Sequence, residues 1–344
     1  MNNARRVNVG VVGATGLVGT VLMKLLDQRN FAVDDLRVFA SPRSAGDMLS
    51  WRDRILKIES AEDSDFAGLD IVLMSAGALV GHQLAPKIVD AGAVVIDNSS
   101  AWRLDRDVPL VVVEVNPSAL VVRPRGIIAN PNCTTMVAVP VLAPLQRTFG
   151  LQRVVASTYQ AVSGAGLKGI GELAAQSAVT RDHIVDLAQD SSRLQAEVAE
   201  VFGAPIAHNV IPFAGALVDD ETDEEHKFRN ETRKILNLAK LSVQCTCVRV
   251  PVVTGHSLSM AITLQQEAAL DDVRGVLARS VGVKLADVPT PLDATGTDVS
   301  LVGRLRQDLD DPCTVHLFVV GDNLRKGASL NAVQIAELLR DDLP

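Results

Sequence analysis

Several features that the 344-residue chain lacks, or has little of, exclude whole classes of protein. Four cysteines are too few for the disulfide framework of a small secreted domain, so we expect reduced thiols. No window holds ~18 uninterrupted apolar residues, so we expect no membrane-spanning helix. A net charge of -8 argues against a nucleic-acid surface. The start of the chain also lacks the apolar core of a signal peptide, and we therefore expect a cytoplasmic protein.

Aromatic residues are scarce as well, at 3% of the chain, whereas hydrophobic residues reach 47%. The apolar content is therefore mostly aliphatic, which is typical of an α/β protein rich in valine, alanine and leucine. Since one hydrophobic core rarely grows beyond ~250–300 residues, the length predicts two domains.

One cysteine, Cys133, lies in the segment NPNCTT (130–135), between a turn and a predicted helix. Pro131 disfavours helix at the residue before it, and Asn132 can cap the helix that follows. A thiol at a helix N-terminus meets unpaired N–H groups and the positive end of the macrodipole, which favour the thiolate. We interpret Cys133 as a nucleophile; from this segment alone, a small buried residue is an equal alternative.

The N-terminal region has the pattern of a dinucleotide-binding site. Val7–Val12 predicts a strand, the turn GATGLVG (13–19) follows, and apolar residues at helical spacing come next. The three glycines fit a G-x-x-G-x-x-G fingerprint, in which they form the tight turn, admit the pyrophosphate and allow close helix packing. The predicted cofactor contacts in this turn are Gly13, Thr15, Gly16, Leu17 and Val18.

The end of the second predicted strand, Leu36–Ala40, indicates which dinucleotide is bound. An NAD enzyme usually has an acidic residue there, to bind the ribose 2′-hydroxyl. The chain instead has Ser41, Arg43 and Ser44, which suit a 2′-phosphate. We therefore expect NADP; the alternative is an ordinary polar turn.

Four further apolar runs predict parallel strands that are covered on both faces. They are Ile71–Met74, Val94–Ile96, Val111–Val113 and Gly126–Ala129. Ligands bind beyond the carboxyl ends of such strands. Because Cys133 follows the last of these runs, we expect it near the nicotinamide.

The second half predicts strands over 154–162 and 241–253, and a helical stretch that reaches about Val201. The charged segment Asp219–Lys234 predicts an exposed helix, on which Glu224 and Lys227 lie one turn apart and could bind a zwitterion.

His256, beside a glycine, is a candidate acid/base, although a lone histidine is more often structural. Cys245 and Cys247 have strand alternation, which predicts packing and not a metal site. Near the C-terminus, a helix is predicted from Ser329.

The order of these motifs resembles the bacterial aspartate-β-semialdehyde dehydrogenases over nearly the whole chain. The motifs are GATGLVG, SPRSAG, DNSSAWR, NPNCTT, QAVSGAG, EEHK, ETRKIL, RVPVVTGHS and DNLRKGASLNAVQIAE. The resemblance implies an α/β fold with a Rossmann-type NADP-binding domain (1–132). It also implies an α+β catalytic and dimerisation domain of the glyceraldehyde-3-phosphate dehydrogenase-like kind (133–325) and a C-terminal helix (326–344) that returns to the first domain. A cytoplasmic homodimer without a metal is implied as well.

The activity implied by the resemblance is the NADPH-dependent conversion of L-aspartyl-4-phosphate to L-aspartate-4-semialdehyde and phosphate. This step leads toward lysine, threonine, methionine and diaminopimelate. By motif, Cys133 is the nucleophile, His256 the general acid/base and Gln160 the residue that orients the intermediate. The substrate residues implied are Arg249 for the carboxylate, Glu224 for the amine, Arg103 and Lys227 for the phosphate, and Asn132. Further cofactor contacts implied are Ser163, Gly164 and Asn323.

Two departures from the family pattern concern the packing of the nucleotide loop: Trp102 replaces a common Phe, and Ala78 a common glycine. Two alternative functions remain. An N-acetylglutamyl-phosphate reductase would bind an N-acylated substrate, which has no free ammonium group. The acidic side chain of Glu224 instead favours a substrate with a free amine. The other alternative, a non-catalytic nucleotide-binding paralogue, is disfavoured because Cys133, Gln160 and His256 are all present.

Overall fold

The computed structural model describes residues 5–342 and divides the chain into two compact units. The first unit contains the chain through Asn132, the short segment Lys234–Leu238 and the chain from Arg325 onward. The second unit contains Cys133–Arg233 and Ala239–Leu324. The extreme residues of the predicted segments 1–132 and 326–344, including the start on which the signal-peptide expectation rests, lie outside the described residues.

The first unit is built on a seven-stranded sheet. Its elements up to residue 132 are β1 (Val7–Val12), α1 (Leu17–Gln28), β2 (Val33–Ala40), β3 (Met48–Trp51), β4 (Arg54–Ser60), β5 (Ile71–Met74), α2 (Ala78–Asp90), β6 (Val94–Asp97) and β7 (Ile127–Ala129). The strand order is β3-β4-β2-β1-β5-β6-β7, and all neighbours are parallel except β3 and β4. Because β1 has β2 on one side and β5 on the other, its carboxyl end is a topological switch point, where ligands of such sheets bind.

One predicted strand of this sheet is wrong. Val111–Val113 forms no strand; only Leu110 makes an isolated parallel bridge, with Ala129. The side-chain oxygen of Asn116 accepts the N–H of Val112, and that of Asn331 accepts the N–H of Val113. Side chains therefore satisfy the buried backbone groups that a neighbouring strand would otherwise pair.

The second unit is built on a six-stranded mixed sheet in the order β11-β8-β12-β15-β14-β13, with a separate β9–β10 hairpin. Its elements begin with α3 (Cys133–Phe149), β8 (Leu151–Gln160), α4 (Gly166–Thr180), α5 (Ser192–Gln195), β9 (Leu217–Val218), β10 (Glu221–Thr222) and α6 (Asp223–Leu236), of which the residues from Lys234 onward belong to the first unit. They continue with β11 (Ser242–Arg249), β12 (His256–Leu264), α7 (Leu270–Ala278), β13 (Val283–Leu285), α8 (Pro291–Ala294), β14 (Ser300–Gln307) and β15 (Thr314–Gly321). The largely buried α3 packs against β8, β12, β14 and β15.

Three expectations for this unit need correction. The helix predicted to reach about Val201 ends at Thr180, and α5 starts separately, where Asp190 accepts the N–H of Ser192. The strand predicted over 241–253 ends at Arg249, shortly before Pro251, which has no N–H to donate. The charged segment is not simply an exposed helix. Its first residues form the turn and the second strand of the β9–β10 hairpin, and α6 buries one face that includes Phe228.

The C-terminal helix, α9 (Leu330–Asp342), belongs to the first unit and starts one residue after the predicted position. Its buried Asn331 donates to the carbonyl of Val111 and to the side-chain oxygen of Asn130. These bonds attach the helix to the segment that precedes Cys133 in the chain. Within residues 5–342, no helix combines the length and the apolar content that crossing a bilayer requires.

Candidate active site

Three predicted site residues meet at one edge of the six-stranded sheet because of strand register. Gln160 and Arg249 are the last residues of the parallel neighbours β8 and β11, and they are register partners. His256 is the first residue of β12, which runs antiparallel to β8 and pairs Ser257 with Tyr159. The strand ends therefore place an amide, a guanidinium and an imidazole beside one another.

The predicted nucleophile contacts the predicted acid/base. Cys133 is the first residue of α3, and its Sγ lies 3.2 Å from Nε2 of His256. The thiol is half-buried, whereas the imidazole is fully buried. The cysteine is thus at a helix N-terminus, where the positive end of the macrodipole favours the thiolate.

The second ring nitrogen of His256 determines where its proton resides. Nδ1 lies 3.0 Å from the backbone nitrogen of Ala161, whose N–H can only donate, so Nδ1 must accept. Burial, together with the nearby charge of Arg249, lowers the pKa of His256 to about 3, so the ring is neutral near pH 7. A neutral ring that accepts at Nδ1 carries its proton on Nε2. His256 is therefore a hydrogen-bond donor toward the Sγ of Cys133.

Gln160 is linked to the charged helix α6 through Glu224. Its Nε2 donates to Oε2 of Glu224 at 3.1 Å, and its Oε1 accepts from the hydroxyl of Thr158 at 3.2 Å. The other carboxylate oxygen of Glu224 accepts from Nζ of Lys227 at 2.8 Å. Burial opposes protonation of Lys227, but the carboxylates of Glu224 and Asp223 outweigh it and raise the pKa of the ammonium. Glu224 and Lys227 therefore form an ion pair with each other.

Arg249 has the features of an anion-binding side chain. Its guanidinium is buried, and its Nη1 donates to the carbonyl of Ala161 at 3.0 Å. Its Nε is buried but donates to no acceptor within residues 5–342. The side chain lies in the wall of a cleft of about 660 Å³ that Phe202 and Phe213 also line. A carboxylate in this cleft would satisfy the buried donor.

The glycine turn after β8 allows these groups to approach closely. A Cβ at Gly164 would lie 3.2 Å from Nη1 of Arg249 and 3.4 Å from Cε1 of His256, so the position favours glycine. In the same unit, Nδ2 of Asn323 donates to the hydroxyl of Ser163 at 2.9 Å, and its Oδ1 accepts the N–H of Gly255 at 2.8 Å. The three predicted cofactor residues Ser163, Gly164 and Asn323 thus lie around the turns that hold His256 and Arg249.

The glycine loop of the first unit fits a dinucleotide pyrophosphate. Gly13 has a φ of +83°, and a Cβ there would lie 2.1 Å from the carbonyl oxygen of Ser75. A Cβ at Gly19 would lie 2.1 Å from the carbonyl oxygen of Gly13, so α1 packs against the turn itself. Helix α1 starts at Leu17 without a side-chain cap and without an acidic residue in its first turn. Its N-terminal N–H groups therefore suit an anion.

The remaining predicted residues of the first unit differ in exposure. Ser41 and Arg43 are exposed in the turn after β2, and Ser44 is half-buried. Arg103 is buried and donates from Nε to the carbonyl of Asn130 at 2.9 Å and from Nη2 to that of Asn98 at 2.6 Å. Asn132 is buried directly before α3, whereas Lys227, the other predicted phosphate residue, belongs to the second unit.

Sequence reasoning missed two residues of this site. Ala161 binds His256 through its N–H and Arg249 through its carbonyl. Because every residue type except proline has both of these backbone groups, the sequence cannot indicate that Ala161 makes these contacts. Phe202 lies over the guanidinium of Arg249, and the local sequence VFGAP gives no signal for that contact. Within residues 5–342, no group of three or more His, Cys, Asp or Glu side chains is arranged to hold a metal ion.

Similarity to known proteins covers both units. Residues 8–122 match the family described as semialdehyde dehydrogenase, NAD binding domain, and residues 142–326 match semialdehyde dehydrogenase, dimerisation domain. An aspartate-semialdehyde dehydrogenase of Mycolicibacterium smegmatis is 53% identical over 98% of this chain and 100% of its own length. The enzyme of that name from Bacillus subtilis is 43% identical over 98% of both chains. The crystal structure of aspartate semialdehyde dehydrogenase II from Vibrio cholerae, complexed with ASA, superposes with a TM-score of 0.93 at 40% identity, over 99% of this chain and 100% of that one.

Proposed function

The chain belongs to the aspartate-semialdehyde dehydrogenase family, and from that premise we propose which of its residues carry out the reaction. The proposed reaction converts L-aspartyl-4-phosphate to L-aspartate-4-semialdehyde and phosphate, with NADPH as the reductant, in lysine, threonine, methionine and diaminopimelate biosynthesis. The contact of 3.2 Å between Sγ of Cys133 and Nε2 of His256 is the observation that carries the assignment. Within residues 5–342 the four cysteines form no disulfide, which is compatible with the reducing cytoplasm, where we place the enzyme.

The first unit would bind NADP. Gly13 and Gly16 carry no side chains that would block approach to the backbone, and the start of α1 at Leu17 would bind the pyrophosphate. The exposed Arg43, in the turn after β2, would bind the 2′-phosphate that distinguishes NADP from NAD. The bound cofactor supplies the hydride.

The covalent steps would take place at Cys133. The thiolate attacks the acyl carbonyl of the aspartyl phosphate, the carbon–oxygen bond to phosphate breaks, and a thioester forms. Reduction of that thioester gives the oxyanion of a thiohemiacetal on the same sulfur, and when this oxyanion collapses the carbon–sulfur bond breaks and releases the aldehyde and the thiolate. At each stage His256 can donate from Nε2, first to sulfur and then to the oxyanion that develops on the carbonyl carbon.

The other predicted polar and charged residues would bind the remainder of the substrate. Arg249 offers its unsatisfied Nε to the carboxylate, and Glu224 offers a negative charge to the α-ammonium. Lys227 and Arg103 would bind the phosphate, and Gln160, held by Glu224, would orient the acyl group. An N-acylated substrate lacks the ammonium for Glu224, which favours the free amino acid.

We also propose that the enzyme is a homodimer that pairs through the open face of the six-stranded sheet. The family that matches residues 142–326 is described as a dimerisation domain. On this face Val155 and Tyr159 are exposed, and the ring of Tyr159 lies 5.9 Å from that of Phe318. Ser157, Ser259 and Phe318 are cross-strand partners in one row, and the small side chains of the two serines would let a second sheet pack closely beside them.

The test is the appearance of NADPH absorbance when the protein receives L-aspartate-4-semialdehyde and NADP, with and without phosphate. We expect turnover that requires phosphate and little turnover of N-acetylglutamate semialdehyde. Turnover of the acylated aldehyde instead would keep the chemistry but change the substrate. No turnover of either aldehyde, in protein that binds NADPH, would contradict the proposed function and favour a non-catalytic paralogue.

A further inference from the structure

The ring of Phe202 lies over the guanidinium of Arg249, with 5.5 Å between Cζ of the arginine and the ring centroid. We propose that Phe202 is a positioning residue that fixes the plane of this guanidinium, and that it thereby sets the affinity for the substrate carboxylate. The inference rests on the proposed function, in which Arg249 binds that carboxylate. An aromatic face attracts a cation through its quadrupole, and the attraction grows when water is excluded.

Arg249 needs such support because its polar anchoring is sparse. Nη1 donates to the carbonyl of Ala161, and the buried Nε has no acceptor within residues 5–342. One hydrogen bond leaves the guanidinium free to turn about its attachment. A ring against one face of the group restricts that rotation, so the edge formed by Nε and Nη2 stays available for two parallel bonds to a carboxylate.

The ring itself is held in position by helix α4. A Cβ at Gly169 would lie only 3.0 Å from Cζ of Phe202, so the ring occupies the space that a side chain on this helix would otherwise fill. Phe202 also packs against the buried apolar cluster that includes Leu173 and Ile206. The aromatic ring is thus fixed between α4 and the guanidinium.

Phe213 provides a matched control in the same cleft. Its side chain lines the cavity beside Phe202 and Arg249, and it is 44% exposed. Within residues 5–342, Phe202 is the aromatic ring that lies over this guanidinium, and Phe213 is not. Replacing Phe213 therefore changes the apolar lining of the cleft and leaves the contact with Arg249 intact.

The experiment compares Phe202→Leu, Phe202→Tyr and Phe213→Leu by steady-state kinetics with L-aspartate-4-semialdehyde, NADP and phosphate. We expect Phe202→Leu to raise the KM for the aldehyde about tenfold, because the variant loses the contact that positions the guanidinium of Arg249. This guanidinium would bind the carboxylate equally well in the ground state and in the transition state, so the effect should be on the KM. We expect kcat and the KM values for NADP and phosphate to change by less than about twofold. Phe202→Tyr keeps an aromatic face and should retain a KM close to that of the wild type. Phe213→Leu, which changes only the apolar lining of the cleft, should raise the KM less than Phe202→Leu does.

Two further measurements separate a role through Arg249 from a general structural role. The analogue 3-aminopropanal lacks the carboxylate, so the ratio of its kcat/KM in Phe202→Leu to that in the wild type should stay near one. In an Arg249→Lys background, Phe202→Leu should add little to the KM, because the two residues act as one unit.

An equal loss with both aldehydes, or an equal KM rise in Phe213→Leu, would overturn the role of Phe202. Turnover by the wild type with an unchanged KM in Phe202→Leu would overturn it as well, and would leave the proposed function standing. Wild-type protein that turned over no semialdehyde would instead overturn the proposed function, and this inference with it.

Discussion

Acidification should destabilise the second unit through His256, whose imidazole is buried in the neutral form. Burial and the charge of Arg249 lower its pKa to about 3 in the folded protein, whereas an unfolded chain titrates at about 6.5. As the pH falls, the unfolded chain therefore binds the proton first. The stability that comes from the neutral ring is complete above about pH 6.5 and is lost as the pH falls toward about 3. At about pH 5, roughly 1.5 units below the unfolded value, the loss amounts to ~2 kcal/mol.

The control is His256→Gln, because glutamine can accept the N–H of Ala161 and donate toward Cys133 without ever gaining a proton. Urea unfolding of both proteins would be followed by circular dichroism at about pH 7.5 and about pH 5. Both tryptophans lie in the first unit, so their fluorescence does not report on the second. Labelling of the fully buried thiol of Cys247 identifies the transition of the second unit.

Between about pH 7.5 and about pH 5, we expect the free energy of unfolding of the wild type to fall by about 2 kcal/mol more than that of His256→Gln. If the two proteins lost the same stability to within ~0.5 kcal/mol, His256 would titrate alike in the folded and the unfolded chain. The buried neutral ring, and the assignment of its proton to Nε2, would then be wrong.

Other perturbations test separate parts of the proposal. Cys133→Ala should abolish turnover, while calorimetry shows NADPH binding within a few-fold of the wild type; substantial residual turnover would contradict the thioester route. Arg249→Lys should raise the KM for the semialdehyde sharply in steady-state assays, since a point charge cannot replace a planar fork, and an unchanged KM would remove Arg249 from the carboxylate site. Arg43→Glu should raise the KM for NADP about tenfold or more and leave that for NAD less affected; equal effects on both would refute a 2′-phosphate role. Val155→Glu should convert the dimer to monomer by light scattering, since it places a charge on the face proposed to pair.

The sequence predicted the α/β class and the fingerprint loop because both depend on local patterns. β5 (Ile71–Met74) is a run of four buried residues, and its predicted bounds match the structure. Val111–Val113 has the same apolar pattern, and Val111 and Val112 are also fully buried, yet side chains of Asn116 and Asn331 bind its backbone. The second asparagine lies more than two hundred residues away in the chain, and no local pattern can indicate such a partner.

The site was predictable to the extent that residue type carries its chemistry. Cys133, Gln160 and His256 are recognisable from their motifs, and the structure brings Cys133 and His256 into contact. Their roles remain predictions. The contacts of Ala161 and Phe202 could not be predicted, because the first uses backbone atoms and the second depends on how α4 packs against the cleft.

The hydrogen bond from Ala161 also limits what His256 can do for the thiol. To take the proton of Cys133, Nε2 would need a free lone pair, and the ring would then carry its proton on Nδ1, against the N–H of Ala161. Because burial further disfavours the imidazolium, a full proton transfer to this ring is opposed twice. In the proposed reaction, the thiolate would therefore be stabilised by the N-terminus of α3 and by donation from Nε2. For the nucleophile role proposed for Cys133, its position at the start of a helix thus offers a better explanation than a base beside it does.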